Sequence, residues 1–367
     1  MIIKNIKLVN FKNISAGEVD FNDKINVFYG MNAQGKTNFL ESLYLLSGQK
    51  SLRNLNDDEL IKFGEKRAKI CANLELEERE QKIEINIAAD LREYNLNEIN
   101  VKPAKMAKKV PIITFLPTSL EIIKGAPGLR RQFLDAAIGK IMPKYLTLTK
   151  EYERNLKQRN AVLKEIKNGQ NVEEMLQVFD ERVAHLGSKV VMIRLRYVDE
   201  LLKHAKNIYD EVAESAEIID VKYAPKDIVL LEKSEEIVYN EIMQKLRENL
   251  HLDVQKLSTG AGPHRDDLLI TINELDSRKF ASQGQQRSLV LTLKFAECEI
   301  LRESLKEEPI ILLDDVFSEL DEMRQGFVLK KSAGLQVFIT SCNKDVDFLN
   351  SNNVSFFKVE SGEIINK

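Results

Sequence analysis

Gly30-Met31-Asn32-Ala33-Gln34-Gly35-Lys36-Thr37 is the stretch on which the reading of this chain turns. Before it, Ile25-Asn26-Val27-Phe28-Tyr29 has strand character. After it, Asn38-Phe39-Leu40-Glu41-Ser42-Leu43-Tyr44-Leu45-Leu46 has helical spacing, with Gly48 as its stop. Strand, glycine loop and helix together are the setting a phosphate-binding loop requires. The glycines let successive backbone N–H groups turn inward around phosphate, and the helix N-terminus adds its dipole. At this spacing Lys36 bridges the β- and γ-phosphates of ATP and the Thr37 hydroxyl ligates Mg2+. A glycine turn before a helix is common without any ligand; the full eight-residue pattern directly after a strand is not. Gly30 through Asn38 are the expected nucleotide contacts, with Lys36 also catalytic.

A second motif lies most of the chain away. Ile310-Ile311-Leu312-Leu313 reads as a buried strand that delivers Asp314 and Asp315 at its end. Asp314 is placed to hold Mg2+ through water, and Asp315 to orient or deprotonate an attacking water. Alone, the segment is equally a buried strand ending in two solvated acids; the P-loop upstream favours the metal reading. Ser282-Gln283-Gly284-Gln285 begins a helix, so Ser282 by itself is a plain N-cap.

The 367 residues suffice for two or three domains, each with a real core. A net charge of −3 argues against a uniformly basic nucleic-acid coat and leaves a local basic face open. Three clusters are candidates for that face: Lys102, Lys105, Lys108 and Lys109; Arg130 and Arg131; and Arg154, Lys157 and Arg159. Each also reads as an ordinary solvated surface. Cys71, Cys298 and Cys342 stand apart without a C-x-x-C pair, and His185, His204, His251 and His264 are scattered. Neither a disulfide framework nor a thiolate or histidine metal site is indicated. Met1-Ile2-Ile3-Lys4 begins no signal-peptide pattern and no apolar run approaches membrane-spanning length, which points to the cytoplasm.

Residues 2–9 and 18–29 alternate as strands do. Segments 67–76 and 81–88 read as a hairpin or meander, continued near 98–102 and at Val110-Pro111-Ile112-Ile113-Thr114-Phe115. At Leu116-Pro117 the character changes, and from 118 to about 250 it is helical. An apolar face recurs at Leu156, Val162, Leu163 and Ile166, a turn falls at Asn168-Gly169-Gln170-Asn171, and a second long helix covers roughly 172–215. Strand character resumes at Asp267-Leu268-Leu269-Ile270-Thr271-Ile272, before a helix from Gly284 to about Leu305 and strands at 310–313, 336–340 and 354–360. The expected fold is α/β. Both chain ends, 1–116 and 256–367, build a mixed-sheet P-loop domain, and a compact helical lobe is inserted over 117–255.

The order P-loop, S-x-G-Q, apolar strand with paired acids, then Ser318-Glu319-Leu320-Asp321 resembles the ABC-type ATPase head. Within that class the chain is similar, over essentially its whole length, to the RecF family of bacterial recombination mediators, relatives of the chromosome-maintenance ATPases. Three further segments carry the likeness. Val9-Asn10-Phe11-Lys12-Asn13 matches the family's nucleotide-proximal turn and adds Lys12 and Asn13 to the expected site. Leu116-Pro117-Thr118-Ser119-Leu120-Glu121-Ile122-Ile123 with Gly125-Ala126-Pro127-Gly128-Leu129-Arg130-Arg131-Gln132-Phe133-Leu134-Asp135 is a second, and Gly262-Pro263-His264-Arg265-Asp266-Asp267 a third. The resemblance implies that Ser282, Gly284 and Gln285 meet the γ-phosphate bound to an opposite subunit. It implies that the segment ending in Asp321 crosses the dimer interface, so that each site is completed in trans. It further implies an ATP-dependent homodimer on double-stranded DNA and gap junctions, without sequence specificity. RecR and RecO would be its partners in loading RecA, with a link to the SOS response.

Two departures from the general head pattern bear on rate. A glutamate usually follows the metal-binding aspartate, whereas Asp315 is one methylene shorter. Where transporter ATPases carry a phosphate-sensing histidine, this chain has Thr340-Ser341-Cys342. Both imply slow hydrolysis, with ATP serving as dimer glue and timer; the resemblance implies a weak ATPase stimulated by DNA. The alternative, a nucleotide-binding subunit of an ABC transporter, shares the motifs but not the oversized helical insertion. A long-armed chromosome ATPase needs hundreds of coiled-coil residues between the motifs. A monomeric small-molecule kinase needs neither S-x-G-Q nor S-E-L-D.

Overall fold

The computed structural model describes residues 1–53, 55–76, 79–213, 217–226, 234–342 and 353–366. They form two compact units, Met1–Ser119 with Glu297–Lys367, and Leu120–Ala296. The first unit opens with β1 (Ile2–Phe11), β2 (Ile14–Asp20), β3 (Ile25–Tyr29), α1 (Lys36–Leu45), β4 (Arg67–Leu76) and β5 (Arg79–Ala88). β6 (Leu91–Leu96), β7 (Ile99–Val101), α2 (Pro103–Lys109) and β8 (Ile112–Phe115) follow. The second unit supplies α3 (Glu121–Lys124), α4 (Pro127–Ile141), α5 (Pro143–Lys167), α6 (Glu173–Ala213), β9 (Ile219–Ala224) and α7 (Glu235–Glu248). It continues with α8 (Leu250–Lys256), β10 (Asp267–Ile272), β11 (Leu275–Asp276), α9 (Ser277–Phe280) and the first part of α10 (Gln283–Leu305). β12 (Ile310–Leu313), α11 (Glu322–Lys331), β13 (Val337–Ser341), β14 (Val354–Glu360) and β15 (Glu363–Asn366) complete the first unit. No helix among the described residues is long and apolar enough to cross a membrane.

The first unit holds two six-stranded sheets. One is antiparallel, in the order β2-β1-β4-β5-β6-β7. The other, β15-β14-β3-β13-β12-β8, is parallel except for β15. β12 and β13 lie in its interior, and every residue of Ile-Ile-Leu-Leu and Val-Phe-Ile-Thr-Ser is buried. A central parallel strand is covered on both faces, so it reads as a continuous apolar run rather than an alternation. β4 and β5 do alternate: Ala68, Ile70 and Ala72 stand opposite Ile87, Ile85 and Ile83, all turned to the core. β1 breaks its own alternation. A register shift between Ile3 and Asn5 lets Ile3 and Ile6 both face inward. The Gln336 amide serves the backbone there, accepting the Ile3 N–H at 2.8 Å and donating to the Ile3 carbonyl at 2.8 Å.

An aromatic cluster seats α1 on the mixed sheet. Phe28 stacks on Phe357 at 4.8 Å and packs against Phe39 at 4.3 Å, while Phe21 meets Phe338 edge-on at 4.9 Å. The start of α1, and with it the P-loop, is thereby anchored beyond the end of β3.

In the second unit α5 and α6 form a helical hairpin, and the 41 residues of α6 run for about 60 Å. The stretch from 118 to 250 is not helical throughout. β9 pairs antiparallel with β10, from Ile219↔Ile272 to Ala224↔Asp267. Its alternation covers only three apolar residues and its partner is distant in sequence, so the helical surroundings conceal it. Residues 214–216 and 227–233 of that expected helical stretch lie outside the described residues. In the first unit, Ile112–Phe115 does not continue the meander; β8 pairs parallel with β12 at the edge of the mixed sheet. Against the lobe expected over 117–255, the second unit begins at Leu120, leaving 117–119 with the first, and runs on through β10, β11 and S-x-G-Q to Ala296.

Charge organises the core of the second unit. Arg159 is 0% exposed and donates to Asp180 at 2.6 Å, Asp253 at 2.7 Å and Thr259 at 2.9 Å. Arg130 is 3% exposed and grips both Asp267 oxygens, at 2.6 and 2.8 Å. Burial and carboxylate pairing therefore remove these two from the expected DNA-binding cations. Arg131 donates to the Asp266 carbonyl at 2.6 Å. Lys102, Lys105, Lys108, Arg154 and Lys157 are exposed.

The segment Gly262–Asp267 is the hub of this core. The Pro263 carbonyl accepts from Arg194 at 2.8 Å, His264 Nδ1 lies 2.6 Å from the Tyr152 hydroxyl, and Asp266 accepts from the Tyr223 hydroxyl at 2.5 Å. Gly262 has φ 118, and a Cβ there would meet the Tyr152 oxygen at 2.6 Å.

Burial pushes the His264 imidazole down to about 4 and the Asp266 carboxyl up to about 6. Their effects on stability oppose each other. Unfolded His264 takes up a proton below its ordinary 6.5 and folded His264 only near 4, so its share of stability rises with pH across that window. Folded Asp266 keeps its proton up to about 6 whereas the unfolded residue loses it near 3.8, so its share falls as pH rises. Each amounts to roughly 3 kcal/mol, and the two nearly cancel between pH 4 and 6. Urea unfolding across that range should show Asp266→Asn gaining stability with rising pH relative to wild type, and His264→Asn losing it. Parallel profiles for all three chains would refute the assignment.

Candidate active site

Parallel strands β3, β13 and β12 lie side by side in the mixed sheet, and the chain leaves each at the same edge. The P-loop follows β3, Thr340 and Ser341 end β13, and Asp314 and Asp315 follow β12. Residues far apart in sequence meet here because the sheet aligns their strand ends.

Gly30 at φ 156, Ala33 at φ 64 and Gly35 at φ 113 give the loop its turns. Two of these positions also lack room for a side chain. A Cβ on Gly30 would lie 2.3 Å from the Val359 carbonyl oxygen, and one on Gly35 2.7 Å from Asn13 Nδ2. Lys36 is buried, and its ammonium donates to the carbonyls of Gly30 at 2.8 Å and Met31 at 3.1 Å. Met31, Asn32 and Ala33 are exposed. The turn after β1 packs beside the loop: Asn13 Nδ2 donates to the Gln34 carbonyl at 3.2 Å, and Asn38 donates to Asn13 Oδ1 at 2.8 Å. Lys12, at φ 52, is ion-paired with Glu41, which is fully buried on α1 and also accepts the Ser51 hydroxyl and the Leu52 N–H.

A support on the far side of the loop has no local sequence signal. In the turn between β14 and β15, Ser361 N–H donates to Gln34 Oε1 at 2.6 Å and Gly362 N–H to the Gln34 carbonyl at 3.0 Å. Glu41 was more legible, since an acid amid Phe39, Leu40 and Leu43 on an apolar helix needs a buried partner.

Asp314 Oδ1 accepts two hydroxyls at 2.9 Å, from Thr37 and from Thr340. Burial raises the Asp314 pKa, while those two donors and the positive charge of Arg53 work against the rise. A desolvated carboxylate of this kind gains from a cation. The Thr37 hydroxyl and the Asp314 carboxylate are hard oxygen donors, a set that fits Mg2+ and not a soft metal. Asp315 has φ 52, and its N–H donates to the Thr340 hydroxyl at 2.8 Å.

Ser282, Gly284 and Gln285 sit at the start of α10, counted with the second unit. Ser282 is exposed and forms a capping box: its hydroxyl accepts Gln285 N–H at 3.2 Å, and Gln285 Oε1 accepts Ser282 N–H at 2.7 Å. The N-cap reading thus holds within one chain, and an exposed helix N-terminus is also a place for an anion from outside. Asp321 caps α11, accepting Arg324 N–H at 3.0 Å, and is ion-paired with the same arginine.

A P-loop after β3 and an acid pair after β12, flanking β13 at one end of a sheet built from both chain ends, make this the head of an ABC-type ATPase. The model of the RecF/RecN/SMC N-terminal domain matches residues 2–364. The chain belongs to that family, among its RecF members. A DNA replication and repair protein RecF from Clostridium acetobutylicum is 38% identical over 367 residues, 99% of either chain. A solved structure of the recombination mediator protein RecF-ATP in the RecFOR pathway is 34% identical, with a TM-score of 0.90 over 100% of this chain and 97% of that one. The Smc head domain of Pyrococcus furiosus, 15% identical with a TM-score of 0.55 over 100% and 96% of the chains, shares the fold. The full-length likeness to RecF proteins sets aside the transporter alternative.

Proposed function

We propose that the chain is an ATP-dependent DNA-binding protein of recombinational repair and replication-fork maintenance, acting as a homodimer closed by nucleotide. The observation that carries this reading is the convergence of Lys36, Thr37, Asp314 and Asp315 at one sheet edge. ATP is held by Gly30 through Asn38, flanked by Lys12 and Asn13. Lys36 serves the β- and γ-phosphates, and Thr37 and Asp314 hold Mg2+, which neutralises phosphate charge when bound. Asp315 orients the attacking water. Ser282, Gly284, Gln285 and Asp321 complete the site of the opposite copy. In this division residues 1–116 and 256–367 work as the ATPase and 117–255 as the inserted lobe, although S-x-G-Q makes its contacts in the second unit.

Hydrolysis is weak, DNA-stimulated and used as a switch that reopens the dimer. The exposed Lys102, Lys105, Lys108, Arg154 and Lys157 are assigned to phosphates of gapped duplex DNA, without sequence readout. The RecF-ATP structure supports ATP as the nucleotide, and its place in the RecFOR pathway supports RecR and RecO as partners. RecA loading is the outcome assigned to the three. The setting is the cytoplasm, within the SOS response.

Light scattering tests the shared site. Wild type should be monomeric alone and dimeric with ATP and Mg2+. Ser282→Arg should bind ATP with wild-type affinity and stay monomeric, because the arginine fills the space a second copy's phosphates need. Normal dimerisation of Ser282→Arg would remove the role in trans.

A further inference from the structure

Thr340 opens the Thr340-Ser341-Cys342 run that stands where transporter ATPases carry their histidine, and no motif gives this hydroxyl a role. It lies in β13, 0% exposed, and its hydroxyl makes two bonds at once. It donates to Asp314 Oδ1 at 2.9 Å and accepts Asp315 N–H at 2.8 Å. One hydroxyl therefore bonds the carboxylate of Asp314 and the backbone of Asp315. The sheet brings it there: β12 and β13 pair in parallel register through Leu313↔Ile339, so the next residue of each strand meets the other at the edge.

We propose that Thr340 is a positioning residue for ATP hydrolysis, fixing Asp314 for the metal and Asp315 for the water. This rests on the ATPase reading above. Three physical points carry it. In that reading the oxygen of Thr37 is a metal ligand, which leaves Thr340 as the donor dedicated to orienting Asp314. Asp315 adopts a left-handed backbone at φ 52, which costs an L-residue energy, and the hydrogen bond from its N–H to Thr340 is a restraint that holds it there. Thr340 is β-branched and enclosed in a central strand, so its χ1 is restricted and the hydroxyl is a rigid reference point.

The test uses the full-length chain as wild type, Thr340→Val, which keeps the shape and loses the hydroxyl, and Thr340→Ser, which keeps the hydroxyl. Three quantities are read: affinity for a fluorescent ATP analogue in EDTA, Mn2+ affinity by EPR with a non-hydrolysable ATP analogue, and the DNA-stimulated kcat. Thr340→Val should bind nucleotide in EDTA as wild type does, yet lose about 10- to 100-fold in Mn2+ affinity and in kcat. Thr340→Ser should recover most of both. Wild-type Mn2+ affinity and kcat in Thr340→Val would overturn the proposal, as would an equal loss in Thr340→Ser. If Thr340→Val does not fold, Thr340→Ser decides alone, and a tenfold loss of its Mn2+ affinity counts against the role. Failure of wild type itself to bind nucleotide and Mn2+ would instead sink the ATPase reading.

Discussion

Lys36→Met is expected to leave the protein folded and to weaken ATP binding on the order of a hundredfold. The ammonium donates to the carbonyls of Gly30 and Met31 and is the buried cation of the loop. A hydrogen bond to a charged group contributes about 1.5–3 kcal/mol, and each 1.4 kcal/mol is a factor of ten in affinity. Methionine keeps the length and apolar stem, so packing is conserved while the charge is lost. The seat of α1 does not depend on Lys36, since Phe28, Phe39 and Phe357 hold it to the sheet. Calorimetric titration with ATP and Mg2+ reads the affinity, and thermal unfolding without nucleotide checks the fold. Binding within about threefold of wild type, well under the 1.4 kcal/mol that makes a decade, would show that this loop is not the nucleotide site.

Arg159→Met is expected to have the largest effect on stability. It leaves Asp180 and Asp253 without the cation they share, and Asp253 keeps only smaller support such as the Gly260 N–H at 2.9 Å. Removing one partner of a buried ion pair costs about 3–5 kcal/mol. For a unit of this size that lowers the melting temperature by about 10 °C. Burial already raises the Asp180 pKa, with the Arg159 charge opposing the rise. Without Arg159 the folded carboxyl holds its proton to a higher pH than the unfolded one. The loss of stability should therefore be smaller at pH 5 than at pH 7. Arg154→Met is the control. Arg154 is exposed on the same helix, so its replacement should change stability by less than about 0.5 kcal/mol and weaken DNA binding instead. Equal melting temperatures for the two variants would refute the division between structural and DNA-facing cations.

That division shows where sequence reading stops. Arg130, Arg154 and Arg159 look alike as basic residues on helices. Two are buried against carboxylates contributed by other elements, Asp267 for one and Asp180 and Asp253 for the other. No local pattern distinguishes them, because the distinction lies in the partner. β9 escaped for a related reason: a strand of three alternating apolar residues is defined by β10, and its own helical neighbourhood pointed elsewhere. The break in β1 between Ile3 and Asn5 is likewise a property of the pairing with β4.

By itself the sequence determined whatever is governed by local physics. The glycines and Lys36-Thr37 of the P-loop, the all-apolar β12 with its two acids, the S-x-G-Q cap of α10 and the long helices α5 and α6 each need only their own residues. The tertiary structure alone decided how the P-loop and the two acids become one site. Thr37 meets Asp314 across 277 residues, Thr340 meets Asp314 across 26, and Ser361 props Gln34 across 327. Hydrogen bonds of 2.6–2.9 Å demand alignment that spacing along a chain cannot encode. Here the register of parallel strands β3, β13 and β12, together with the β14–β15 turn, sets it.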